Sequence, residues 1–283
     1  MPLESAVSTE ELLRHPFKTG ALAIVFVSLG VFISIMLNYS SAGLLLVTLT
    51  VIPAVPLFLK IFEHEEGLTE YPNGSWIIYP RSIAALFYYF IGVVLACAIW
   101  YFILPDEFAK VIFSDQIKEI QAISASMTQW SINKTLAYFE KIFFHNLSVL
   151  ILILIFSLIY GAGAVFILTW NASIIGVFVG QSIEKAYAGS EKIAERYGFL
   201  SVLHSIGYGL VTALTSIAPH GIFELLAYLS TAVAGSIMSV SISKKTYKKK
   251  YFVFLVSSFL KLVSFAILCM GVGAYIETKL IVG

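Results

Sequence analysis

Residues 219–242 read PHGIFELLAYLSTAVAGSIMSVSI, an apolar run led by a proline, a histidine and a glutamate. A hydrocarbon core about 30 Å thick is crossed by roughly 20 apolar residues in a helix. The run is long enough to be a membrane helix. Pro219 suits its first turn, where a missing N–H forfeits no hydrogen bond. His220 and Glu224 then share one face, about 6 Å apart along the axis. Ionisable groups at such depth cost roughly 2.5–3.5 kcal/mol each on insertion scales, so they turn toward a protein interior. The expected fold is a helix bundle in a bilayer, with its chemistry where the helices meet.

The rest of the composition agrees. The chain has 283 residues, 59% of them hydrophobic and 12% charged, with a mean hydropathy of +0.89. A soluble domain carries about a quarter charged residues, so residues 1–283 read as one integral membrane domain of the all-α class. A net charge of +1 gives no footing for nucleic acid. Cys97 and Cys269 both lie in apolar runs and read as small packing residues. Glu4, Glu10, Glu11, Arg14 and Lys18 make residues 1–18 too polar for a cleavable leader, so the first apolar run is expected to be an uncleaved anchor. Ser8-x-x-Glu11 is a capping-box pattern, opening a short helix that Pro16 ends.

Runs long enough to cross lie at 19–37, 43–60, 82–104, 142–170, 198–217, 219–242 and 251–276. A further run, 171–183, is short and carries Asn171 and Gly176-x-x-x-Gly180. Basic residues set orientation by gathering on the cytoplasmic side. Arg14, Lys18, Lys60, Arg81 and the five lysines of 244–250 fall on one side only if 171–183 dips in and returns. About seven spans with a glycine-rich re-entrant segment are therefore expected, in the cell membrane, with the N-terminus cytoplasmic. Lys185, Lys192 and Arg196 would then lie inside too, and 105–141 becomes the large external element. There Phe108, Val111, Ile112, Ile117 and Ile120 recur at helical spacing, and Trp130, Leu136 and Phe139 mark a second helix. Such amphipathic pieces rest on a membrane surface, receive a partner, or simply cap the bundle.

In that topology His145 and Asn146, at the head of the 142–170 span, share the depth of His220 and Glu224. The group could bind a metal through His145, His220 and Glu224, relay protons, or grip a polar head group. It could equally satisfy helix ends and neighbouring hydroxyls in a packed bundle. Lys261 either snorkels to the interface or pairs with Glu224, the only carboxylate well inside a predicted span. Gly161, Gly163, Gly176, Gly180 and Gly221, with Asn171, allow close helix packing or line a permeation path. No P-loop, dinucleotide fingerprint, hydrolase elbow or His-Glu-x-x-His zinc motif is present, so no cofactor is expected.

The phrase Asn171-Ala-Ser-Ile-Ile-Gly176, with Pro219-His-Gly-Ile-Phe-Glu224-Leu-Leu-Ala further along, resembles the stage II sporulation protein M family. Asn146 fits the same pattern, and the likeness is best over 140–245. Leu226 stands where the family pattern has a proline. The resemblance implies a polytopic membrane protein without an established enzymatic activity of its own. In spore-forming bacteria such proteins anchor cell-wall hydrolases during engulfment, and members also occur in archaea and non-sporulating bacteria. The expectation is a membrane scaffold recruiting cell-envelope remodelling partners. Lipid, envelope proteins and a second copy of the chain are its candidate partners. The alternatives are a transporter or channel for a small solute or lipid, built on the re-entrant loop and the His220/Glu224 face, and a metal-dependent membrane hydrolase.

Overall fold

The computed structural model describes residues 8–37, 42–68, 79–128, 135–189 and 198–282. Glu4, Trp130, Lys192 and Arg196 lie outside them. The described residues form helices α1 Thr9–Arg14, α2 Phe17–Leu37, α3 Ala42–Leu68, α4 Pro80–Ile103, α5 Asp106–Ile112 and α6 Ser114–Thr128. They continue with α7 Thr135–Tyr160, α8 Ala164–Ala188, α9 Phe199–Ser243 and α10 Phe252–Val282. Seven of these, α2, α3, α4, α7, α8, α9 and α10, are long and apolar enough to cross a membrane. The protein is a polytopic helical bundle.

The expected number of spans holds, but two of the segments differ. The run 142–170 is broken: α7 ends at Tyr160, and the turn Gly161-Ala162-Gly163 starts α8. Gly161 has φ +66°, a conformation that strains any residue with a Cβ and so favours glycine; the nearest atom to such a Cβ, Leu59 Cδ2, is a side-chain end that can move. The segment 171–183 is therefore the middle of a full-length helix, α8, and not a re-entrant loop. In compensation, 198–217 and 219–242 fuse into α9, a single helix of 45 residues with Pro219 inside it. Membrane helices tolerate such a proline because neighbouring groups satisfy the freed carbonyl. At about 1.5 Å per residue α9 is roughly 67 Å long, more than twice the hydrocarbon thickness, so tilt, bending or projection must take up the excess.

Contacts fix the relative directions. Thr19 Oγ1 donates to Ala85 O (2.7 Å) and Trp100 Nε1 to Ser28 Oγ (2.9 Å), so α2 and α4 run parallel. Tyr89 meets Thr169 at 3.0 Å, while Gly176 and Gly180 pack on Val94, Cys97 and Tyr101, so α8 parallels them. Asn146 with Glu224 and Ser157 with Gly235 set α9 parallel to α7, so α9 runs antiparallel to α8, which it meets at Gly209 and Ile183. Lys185 thus ends up opposite Arg81, Lys244 and the rest of the lysine cluster, contrary to expectation.

Small residues make these approaches possible where lipid supplies no hydrophobic drive between helices. Residues Ala227 to Met238 of α9 are buried on every side, making this half the central post of the bundle. Alanine, serine and threonine dominate it, and a Cβ on Gly235 would lie 2.6 Å from Ser157 Cβ.

Both ends of the bundle are closed by specific contacts. At the lysine-rich end Ser8 Oγ accepts from Glu11 N (3.1 Å), as the capping pattern predicts, and α1 buries Leu12 and Leu13 beneath the bundle. Glu66, only 2% exposed, accepts from Thr246 Oγ1 (2.7 Å) and Lys244 Nζ (3.2 Å), tying α3 to the α9–α10 loop. At the other end α5 and α6 form a cap. Gln116 Nε2 donates to Gly43 O (3.3 Å) and Ser173 Oγ (3.1 Å). Asp115 Oδ2 accepts from Leu44 N (3.0 Å), supplying the first turn of α3 with an acceptor and a favourable charge.

Candidate functional site

Three helices bring polar side chains together inside the apolar bundle. From α7, Asn146 is 7% exposed, and its Nδ2 donates to Glu224 Oε1 at 2.5 Å. On α9, His220, Glu224 and Tyr228 follow one another at four-residue spacing, so one face carries all three. Tyr228 is 7% exposed, and its hydroxyl forms no hydrogen bond among the described residues. His220 is half-buried, with Nδ1 buried and unpartnered.

The third wall is α10. A Cβ on Gly273 would lie 3.2 Å from Glu224 Cγ and 3.4 Å from His220 O, so the bare glycine lets this backbone lie against the His220–Glu224 turn. One turn further on, Glu277 is close enough to interact electrostatically with both Glu224 and Tyr228. Two carboxylates therefore sit close together in spanning helices, and among the described residues neither has an ionic partner. From Glu224 to the end of α9 at Ser243 is roughly 28 Å of helix, about one hydrocarbon thickness from the lysine-rich end.

The structure joins Asn146 to Glu224 and leaves several expected companions out. His145 is exposed, one residue round the helix from Asn146. Among the described residues no group of three His, Cys, Asp or Glu side chains is placed to hold a metal. Lys261 does not reach Glu224: it lies twelve residues before Gly273 on α10, about 18 Å along the axis. Asn171 donates to Ile167 O (2.8 Å) within α8 and faces none of this. Gly176 and Gly180 are packing glycines, with would-be Cβ atoms 2.6 Å from Val94 O and 2.9 Å from Tyr101 Cβ. Gly163 precedes α8 in helical conformation. Gly221 would meet only Ile217 of its own helix, Pro219 is exposed, and Leu226 continues the helix unbroken.

Tyr228 and Glu277 are the residues that sequence reasoning missed. Tyr228 continues the His220, Glu224 spacing by one more turn, a signal that was available. Glu277 stands one position past the predicted end of the last span, but α10 runs on to Val282, so Glu277 belongs to the helix.

A family model described as Stage II sporulation protein M matches residues 83–280, from early α4 to near the end of α10. This chain belongs to that family. The match includes Asn146, His220, Glu224, Tyr228, Gly273 and Glu277, so the whole cluster lies within the family region. Comparison with curated proteins and with solved structures gave no match.

Proposed function

We propose that this family member is a membrane scaffold that holds cell-envelope partners on its α5–α6 cap. One observation carries the reading. The cap is fixed to the bundle by Gln116, Asp115 and the buried Ile112 and Phe113, yet it turns Phe108, Val111 and Ile123 outward, at 47%, 41% and 41% exposure. A rigid platform with apolar side chains on its outer face suits protein capture, since its groups are already ordered before binding. Arg14, Lys18, Arg81 and the lysines of 244–250 gather at the other end, which favours a cytoplasmic N-terminus and an external cap. Membership of a family whose sporulation members anchor wall hydrolases supports the same reading.

The test is capture by crosslinking in membranes, comparing wild type with a Phe108→Ser, Val111→Ser, Ile123→Ser triple variant. The expected result is loss of the crosslinked envelope partner at unchanged expression and thermal stability. Retained capture by the stable variant refutes a platform role for the cap.

A second reading, a transporter, is favoured by the Asn146, Glu224, Tyr228 and Glu277 cluster. It no longer has a re-entrant loop to draw on. Solute flux in liposomes lost in Glu224→Gln, with the cap variant unaffected, would select it over the scaffold. The metal-hydrolase reading has no three-ligand group among the described residues to build upon.

A further inference from the structure

We propose that Glu224 and Glu277, with Asn146 and Tyr228, form an intramembrane binding site for a small hard cation. Charge is the first reason. Two carboxylates lie together in spanning helices, and the side chains that interact with them are Asn146 from α7, Tyr228 from α9, and each other. None of these is a lysine or arginine. Lys279, two residues beyond Glu277, lies instead near the Tyr275 ring, 5.9 Å from its centroid. A bound cation supplies the compensating charge that the protein itself does not.

Donor chemistry is the second reason. Asn146 Nδ2 occupies Glu224 Oε1, which leaves Glu224 Oε2, the Glu277 carboxylate and the Tyr228 hydroxyl as the oxygens of the group without a hydrogen-bond donor among the described residues. These are all oxygens, the set that suits alkali and alkaline-earth ions and not zinc or copper. The third reason is Tyr228, more than nine-tenths buried, its hydroxyl unbonded among the described residues and coupled electrostatically to both carboxylates. The hydroxyl of this largely buried tyrosine, near two acids and without an acceptor among the described residues, is placed as an oxygen ligand. Gly273 completes the site by letting α10 approach closely enough for Glu277 to join.

The proposal is independent of the scaffold reading, because its residues lie on α7, α9 and α10 whereas the cap packs mainly on α2, α3 and α8. Its test uses the full-length protein in lipid nanodiscs at fixed pH and ionic strength. Melting is followed in choline chloride, sodium chloride and calcium chloride, with direct binding of radioactive sodium and calcium measured alongside. The expected result is a saturable rise in melting temperature of roughly 5 °C over choline with one of the two ions, with about one ion bound per chain. Which ion acts identifies the ligand. Glu277→Gln and Tyr228→Phe are expected to lose most of that rise. Should Glu277→Gln fail to fold, the wild-type binding and the Tyr228→Phe shift still decide. No bound ion in the wild type, or an equal shift in folded Glu277→Gln, overturns the site.

Discussion

Gly92→Ala tests the claim that bare backbone contacts hold this bundle together. In the structure a Cβ at position 92 would lie 2.3 Å from Gly20 O and 2.8 Å from Gly20 Cα. Both obstacles are backbone atoms, so no side chain can rotate away. Ordinary contact begins near 3.4 Å, and α2 and α4 would have to part by about 1 Å. A gap of that size forfeits a quarter to a half of each dispersion contact along the seam. Lipid offers little hydrophobic drive to restore it. Overpacking of this kind costs about 1–3 kcal/mol. The comparison variant is Gly271→Ala on α10, where no atom lies within 4 Å and alanine's better helix propensity makes the change neutral or favourable by up to ~1 kcal/mol. Thermal unfolding of both variants in the same detergent, followed by monodisperse fraction on size exclusion, gives the readout. Gly92→Ala is expected to melt clearly below wild type and Gly271→Ala at or above it. Equal melting of the two would refute the packing argument.

Other perturbations reach different parts of the molecule. Asn146→Leu deprives the Glu224 carboxyl of its donor and should lower stability by about 1–3 kcal/mol, whereas Glu224→Gln should be better tolerated; chemical unfolding of both checks the asymmetry. Glu66→Ala leaves Lys244 and Thr246 without their shared acceptor, and a loss of about 1–3 kcal/mol is expected, below the full cost of a broken buried pair because Lys244 is 44% exposed. Its signature is earlier proteolysis at the α9–α10 loop. Gly161→Ala forces a residue with a Cβ into φ +66° against Leu59 and should lower melting temperature, while Gly163→Ala, in helical conformation, should not. The hydrogen bond and charge of Lys18 hold the Glu11 carboxyl below its ordinary value of 4.5. A depressed folded value adds stability above the unfolded value and loses it as pH falls through the folded one, so α1 should loosen only in acid, below about pH 4.5. Labelling of Leu12→Cys between pH 7 and pH 3 checks this, and the acid response should vanish in Glu11→Gln.

The parts of the fold legible in sequence were those governed by composition and local chemistry. Apolar run length reveals membrane helices whatever their partners, and Ser8-x-x-Glu11 specifies its own cap. Boundaries were legible only where the breaking residue acts locally. Gly161 ends a helix through a positive φ, a conformation that a glycine permits without dictating it, so the run 142–170 looks continuous in one dimension. Pro219 misleads in the opposite sense. It reads as a start signal, yet α9 passes through it because the surrounding helices stabilise the segment on both sides. The lysine count could not detect either error, since splitting one run and merging two others returns the later segments to the same side. At the site, Asn146 with Glu224 was legible from shared depth. Glu277 depended on the length of α10, which only packing determines.

The distribution of close contacts separates the bundle into two parts with different roles. Gly20, Gly92, Gly176 and Gly180 lock α2, α4 and α8 backbone to backbone, and the spanning windows of α4 and α8 are each 56% buried. The polar cluster lies elsewhere, between α9, whose window is 78% buried, and α7 and α10, each only 28% buried. Both α7 and α10 stand at the edge of the bundle and pack mainly on α9 and on each other, away from α2 and α4. Carboxylates placed between a fixed central post and two such helices are therefore where charge could be admitted without disturbing the locked layer. Gly273 is the sensitive point of that arrangement. A side chain there would push α10 from Glu224 and withdraw Glu277, so Gly273→Val should abolish any cation-dependent melting shift while leaving contacts among α2, α4 and α8 intact. The fluorescence of Trp100, kept as the sole tryptophan, can monitor that layer in the same samples, because its Nε1 bonds Ser28 across α2 and α4. Loss of both signals together would show that the two parts are one mechanical unit and that this division is wrong.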